Sequence, residues 1–159
     1  MSTAPSAGIW VGAAMAALTL SAAAPAARAE TVSPEGAWML PRKAAVQIYQ
    51  CDGRLCGRIV WLDRPRDPDG RPVRDKKNPD PALRPRLICG QTVLRDLMPS
   101  GPDRWTGGSL YNPDDGHTYR IRGELIADTI IARIYMALPV LGQTSIWRRV
   151  PHLNADGWC

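Results

Sequence analysis

Val46-Gln47-Ile48-Tyr49-Gln50-Cys51-Asp52-Gly53-Arg54-Leu55-Cys56-Gly57-Arg58-Ile59-Val60-Trp61 places two alternating runs on either side of Asp-Gly. That dipeptide between such runs is a strong hairpin signal. Two registers are open. A two-residue loop, Asp52-Gly53, sets Cys51 against Arg54 and leaves Cys56 on a diagonal about 7–8 Å away at the backbone. A four-residue loop sets the two cysteines face to face at about 4.5–5.5 Å, inside disulfide range. The second register is favoured. Both keep Val46, Ile48, Ile59 and Trp61 on one face, because a shift of two residues preserves the side. An isolated hairpin is marginal in water, so this half-apolar ribbon needs more strands to cover it.

The chain is 159 residues long. Residues 1–29 read as a secretory signal peptide: 9–24 are small and apolar, and Ala27-Arg28-Ala29 is a small-x-small cleavage pattern. A membrane anchor is the competing reading of that stretch. Its loss leaves residues 30–159 as a single β-barrel domain, enough for a self-sufficient core, with no transmembrane anchor in the mature chain. The full chain has 20 Lys and Arg against 15 Asp and Glu, net +5. Losing Arg28 with the leader takes 20 to 19 and the net charge to +4. So mild an excess, without a long basic run, argues against nucleic acid as a partner. Four cysteines in an exported chain suggest disulfides and a periplasmic or secreted location. Cys51 pairs with Cys56 by the hairpin argument, which leaves Cys89 with Cys159 by elimination. Zinc fits poorly, since the first pair has no matching second pair and no nearby His.

β-rich runs recur along the rest of the chain at 36–40, 44–50, 55–62, 91–97, 104–111, 117–125, 129–136 and 144–150. Residues 63–86 are a long loop rich in Pro, Asp and Arg, with one helical turn expected near 81–84. Tyr119, Ile121, Gly123 and Leu125 alternate with Thr118, Arg120, Arg122 and Glu124, so the first set faces inward. The expected fold is all-β: an eight-stranded antiparallel up-and-down, calycin-like β-barrel with the Pro-rich loop after the third strand. Closure removes the exposed edges of such a sheet. A β-sandwich is the rival.

Several segments resemble a family of small exported bacterial proteins, domain of unknown function 2147. The likeness rests on Gly36-x-Trp38, on Cys51-x4-Cys56-Gly57-x-Ile59-Val60-Trp61-Leu62 and on the run from Asp75-Lys76-Lys77-Asn78 to Arg86. It continues through Cys89-Gly90, Trp105-x-Gly107-Gly108-x-x-Tyr111-Asn112-Pro113 and Thr144-x-x-Trp147-x-Arg149. The resemblance implies a barrel-like exported domain and carries no activity. Gly36-Ala37-Trp38 with Trp147-Arg148-Arg149 is also similar to the barrel-closing pair of the lipocalin and calycin superfamily, where an Arg packs near a Trp.

The residues show no catalytic constellation. Ser109 and His117 are close in sequence but lack a nucleophile elbow. The acidic cluster at 63–75 lacks the ligand spacing of a calcium loop and is interleaved with arginines. No metal or other cofactor is therefore expected. The eight-residue spacing of Tyr111 and Tyr119 suggests rings stacked across strands. The expected function is non-catalytic: binding a small apolar or amphipathic molecule inside the barrel. Trp61, Tyr119, Ile121 and Leu125 would line the cavity, with Asp75, Asn78 and Arg84 at its mouth. The alternative is a solid-cored module that engages an envelope protein or polymer.

Overall fold

The hairpin turns on two residues. Asp52 and Gly53 both adopt positive φ (49° and 74°), and Cys51 lies opposite Arg54. The favoured four-residue register is therefore corrected to the shorter one. Cys56 faces Tyr49, yet its Cα is 5.8 Å from that of Cys51, and the two are disulfide-bonded along the diagonal. The twist of a two-stranded ribbon brings one diagonal together, which the spacing of a flat ladder overestimates.

The computed structural model describes residues 1, 33–41, 44–151 and 159. Apart from Met1, the expected leader lies outside the described residues, in which no helix is long and apolar enough to cross a membrane. Eight strands follow in order: β1 (Gly36–Leu40), β2 (Ala44–Cys51), β3 (Arg54–Leu62), β4 (Thr92–Gly101), β5 (Arg104–Asn112), β6 (His117–Ile126), β7 (Thr129–Tyr135) and β8 (Gln143–Arg149). Each pairs antiparallel with the next and β8 returns to β1, closing the barrel. A 3-10 turn at Pro81–Leu83 sits in the loop between β3 and β4, capped by the Asp80 carboxylate, which accepts from the Ala82 N–H. β4 extends past the expected end at residue 97, through Pro99 opposite Trp105. Proline is tolerated in a strand where no ladder bond needs its missing N–H.

Strand alternation gathers the β1–β2, β3–β4, β5–β6 and β7–β8 connections at one end, the mouth. The short turns at Asp52-Gly53, Pro102-Asp103 and Ala127-Asp128 mark the other end, the base. Closure at the base centres on Trp38, fully buried, with the Arg149 guanidinium 4.3 Å from its ring centroid. Arg149 also donates to the carbonyls of Ser33 and Glu35 and to the Asp128 carboxylate. Trp38 and Arg149 are register partners across β1 and β8.

Inward residues from every strand fill the interior, among them Trp38, Val46, Ile48, Leu94, Ile121 and Trp147. The packing leaves little room: a Cβ built at Gly57 would lie 2.7 Å from Val46 Cγ1, and one at Gly108 would lie 2.8 Å from Leu97 Cδ1. Trp61 is not part of this core. The register shifts between Ala45 and Val46, so that Val46 faces Ile59 and Ala45 faces Trp61, with Val60 as the extra residue. A bulge of this kind reverses the parity of the strand beyond it. Trp61 thereby joins the outer face and Leu62 packs against the core instead.

The second disulfide joins Cys89 to Cys159, and the Cys159 N–H donates to the Val60 carbonyl. The two bridges span 5 and 70 residues of sequence. By the loop-closure relation, replacing both partners with Ser costs about 2 kcal/mol for the short bridge and about 4 kcal/mol for the long one. Urea unfolding of the two double variants checks that order.

Candidate binding site at the barrel mouth

The loop joining β3 to β4 is fastened to the barrel rim by one buried carboxylate. It first folds back on itself, with bridges Arg66–Pro72 and Arg74–Leu87, and the Ile88 N–H donates to the Val73 carbonyl. This ribbon carries Asp75 to the ends of β4 and β5, where the residue is wholly inaccessible to solvent. Asp75 Oδ1 accepts from the Tyr111 hydroxyl at 2.6 Å. Its Oδ2 accepts from Asn78 Nδ2 at 2.8 Å, Gln91 Nε2 at 3.0 Å and Arg86 at 3.3 Å. An isolated buried carboxylate is costly, and donors on every side are what make it tolerable.

Burial alone would raise the Asp75 pKa, but the bonds from Tyr111, Asn78, Gln91 and Arg86 outweigh it and hold the carboxyl below 3.8. Burial and the hydrogen bond to Asp75 push the Tyr111 phenol up to about 12. Gln91 Oε1 is buried and has no hydrogen-bond partner among the described residues.

A second carboxylate organises the β5–β6 turn. Asp115 accepts from the His117 N–H, the Tyr119 hydroxyl and Asn112 Nδ2. These bonds outweigh the upward effect of its burial, and its pKa too is lowered. Gly116 in this turn has φ +78°, and a Cβ there would fall 2.0 Å from the Lys77 carbonyl oxygen. Lys77 Nζ in turn donates to the Asp114 carbonyl. Turn and loop are thus in direct contact.

Between them lies an open cleft of about 240 Å³ lined by Val73, Ile88 and Pro113 together with Arg74, Lys76 and Lys77, and by Asp67 and Asp114. A separate groove of about 510 Å³ runs along the outside of β2, β3 and β4 beside the Cys51–Cys56 bridge, where Arg54 pairs with Asp96 at 3.0 Å.

The sequence-derived residues separate into three groups. Asp75, Asn78 and Arg84 come together, Arg84 Nε donating to the Asn78 carbonyl, but they form the internal scaffold of the loop. Ile121 and Leu125 face inward and sit in the packed core, 1% and 5% exposed. Tyr119 shares their side of β6 and is half-buried near the mouth, whereas Trp61 is on the outer face. Tyr111 and Tyr119 do not stack. Tyr111 pairs with Thr118 and Tyr119 with Leu110, so the two rings leave opposite faces of the hairpin. Ser109 and His117 are likewise separated, because Ser109 is opposite Arg120, three residues from His117. Sequence reasoning gave no role to Tyr111 or Gln91 as partners of Asp75. Both stand within or beside the quoted motifs, but nothing local to either marks the pairing.

A closed eight-stranded antiparallel barrel whose base is locked by an Arg over a Trp defines a lipocalin-like protein. It is similar to a solved structure described as protein HP1028 from the human pathogen Helicobacter pylori, which belongs to the lipocalin family. The two are 26% identical with a TM-score of 0.65, over 79% of this chain and 95% of that one. A family model described as an uncharacterized protein conserved in bacteria (DUF2147) matches residues 36–149, and the chain belongs to that family. No curated protein matches.

Asp75 and Asp115 have folded-state pKa values below their unfolded ones. Their contribution to stability is therefore complete above about pH 4 and is lost as pH falls further. Tyr111 is shifted upward, so its contribution is present below about pH 10 and lost as pH rises towards about 12. Limited proteolysis of residues 63–91 across pH checks both limits. Tyr111→Phe removes the shortest bond to a buried charge and is expected to cost about 1–3 kcal/mol. Gly116→Ala, which drives a methyl into the Lys77 backbone, is expected to raise cleavage of the loop at neutral pH.

Proposed function

We propose that this protein is a non-catalytic periplasmic binding protein that takes a small amphipathic molecule at the mouth of its barrel. The cleft between the β3–β4 loop and the β5–β6 turn carries the reading. It combines apolar Val73, Ile88 and Pro113 with the cations Arg74, Lys76 and Lys77, a composition suited to a short apolar body with an anionic head. Lys76 is the most loosely committed charge there, exposed and 3.8 Å from the Asp67 carboxylate, while Arg74 and Lys77 donate to the carbonyls of Pro85 and Asp114. An arriving anion would compete with weak, solvated partners rather than with a buried pair.

Eight-stranded barrels are either packed solid or hold one small ligand, and with this interior filled the reading takes the ligand to the mouth rather than inside. In this reading Tyr119 stands beneath the mouth, Ile121 lies deeper in the packed core and Leu125 at its base, and Asp75, Asn78 and Arg84 hold the loop that frames the site. The two disulfides support an oxidising compartment, and the leader expected from the sequence supports export to the periplasm. A second reading, a solid module for an envelope protein, is favoured by the crowding at Gly57 and Gly108, which leaves the deep interior filled.

Titration with decanoate, or with 8-anilinonaphthalene-1-sulfonate as a fluorescent probe, tests the first reading. One saturable site is expected, weakened at least tenfold by Lys76→Glu combined with Lys77→Glu. No saturable binding to the unaltered protein would leave the second reading in possession.

A further inference from the structure

The connection from β7 to β8 is the most apolar exposed segment of the described surface. Met136, Leu138, Val140 and Leu141 are 57–79% exposed, within seven residues that carry no charge. Water-exposed apolar side chains are ordinary when scattered, but a contiguous group marks a surface with something to contact. Further down the outer face of the same hairpin Ile131 and Ile146 are register partners and both exposed, with the Arg133–Thr144 pair between them and the tip.

This segment is built to stay outward. Arg133 donates from Nε to the Pro139 carbonyl, from Nη2 to the Val140 carbonyl and from Nη1 to Thr144. A 3-10 turn at Pro139–Leu141 displays the side chains, and Gly142 lets the strand return past Ile134, whose carbonyl oxygen would be 2.4 Å from a Cβ there. The tip is thus preorganised, with its ordering cost met within the fold.

Charge is distributed along the barrel axis. The mouth loop, residues 63–90, has eight Lys and Arg, all exposed, against five Asp, of which Asp75 is buried. The β5–β6 turn returns two acids, Asp114 and Asp115. At the base the three turns carry Asp52, Asp103 and Asp128, and the arginines beside them are paired, Arg54 with Asp96, Arg104 with Glu124 and Arg149 with Asp128. The apolar tip therefore projects from the end of the barrel that carries the exposed cations of the 63–90 loop.

From this juxtaposition we infer that the mouth end docks on a bilayer containing anionic phospholipid, the β7–β8 tip entering the headgroup region while the basic loop faces the lipid charge. An apolar insert flanked by cations is the combination that gives reversible interfacial binding, and each half alone is weak. A second copy of the chain would meet like charge at the same end, which disfavours a mouth-to-mouth dimer. The inference rests on the tip and the charge asymmetry, not on the mouth cleft.

Co-sedimentation of the purified protein with vesicles of phosphatidylglycerol and phosphatidylethanolamine tests it, with phosphatidylcholine vesicles as the comparison. Affinity for the anionic vesicles is expected to be at least tenfold higher and to fall as salt rises from 50 to 500 mM, in line with shortening of the screening length. Val140→Asp with Leu141→Asp is expected to lower anionic-vesicle binding at least tenfold with the thermal melt unchanged, since both side chains are exposed. Leu138→Glu is the second variant should that pair disturb folding. Failure of the unaltered protein to sediment with anionic vesicles, or equal binding by the tip variants, overturns the inference. A dimer in gel filtration that the tip substitutions dissolve also overturns it, assigning the face to a second copy. Loss of vesicle binding leaves decanoate titration unaffected, so the two readings fail separately.

Discussion

The contact between the Arg149 guanidinium and the Trp38 indole is the point on which the barrel depends. An antiparallel sheet of eight strands exposes two unpaired edges unless its first and last strands meet. β1 is only five residues long, and its ladder to β8 is short, Trp38 with Arg149 and Met39 with Arg148. So brief a ladder gains from side chains that fix it. Arg149 supplies a planar cation over the ring and a fork of donors to Ser33, Glu35 and Asp128, drawing the segment before β1 and the β6–β7 turn onto one group. Lysine has the charge but not the planar fork, and would not reproduce that geometry.

Base and mouth are stabilised by opposite means. The base is fixed by a cation over a buried aromatic ring, and the mouth by a buried anion surrounded by donors. Asp75 takes bonds from its own loop through Asn78 and Arg86, from the approach to β4 through Gln91 and from β5 through Tyr111. Four donors, two from the loop itself and two from outside it, meet on one carboxylate, so a loop with little apolar surface of its own still holds a defined position. The cleft proposed for ligand exists because that position leaves a gap beside the β5–β6 turn.

Much of the architecture was legible because strand periodicity and turn chemistry are local. Asp52-Gly53 announced its hairpin, the Tyr119–Leu125 alternation announced an inward face, and the loop sequence announced a single helical turn near 81–84. What escaped was non-local or geometric. The twist that brings Cys51 and Cys56 together across a diagonal leaves no mark in composition. The bulge at Val60, which turns Trp61 outward, is invisible in a run of four apolar residues, Ile59 to Leu62. The site was less legible than the fold. Asp75 and Arg84 look like any charged residues in a Pro-rich loop, and only folding brings Tyr111, 36 positions away, into contact with Asp75.

Seven of the eight strand pairings join neighbours in sequence, while β1 with β8 spans most of the domain. Local pairings form quickly and distant ones slowly, because a long loop must be closed before the contact repays it. The hairpins can therefore assemble in sequence into an unclosed sheet that waits on a single late event. Until that happens, β1 and β8 present raw edges to any other chain nearby, which makes the interval before closure the time of greatest aggregation risk.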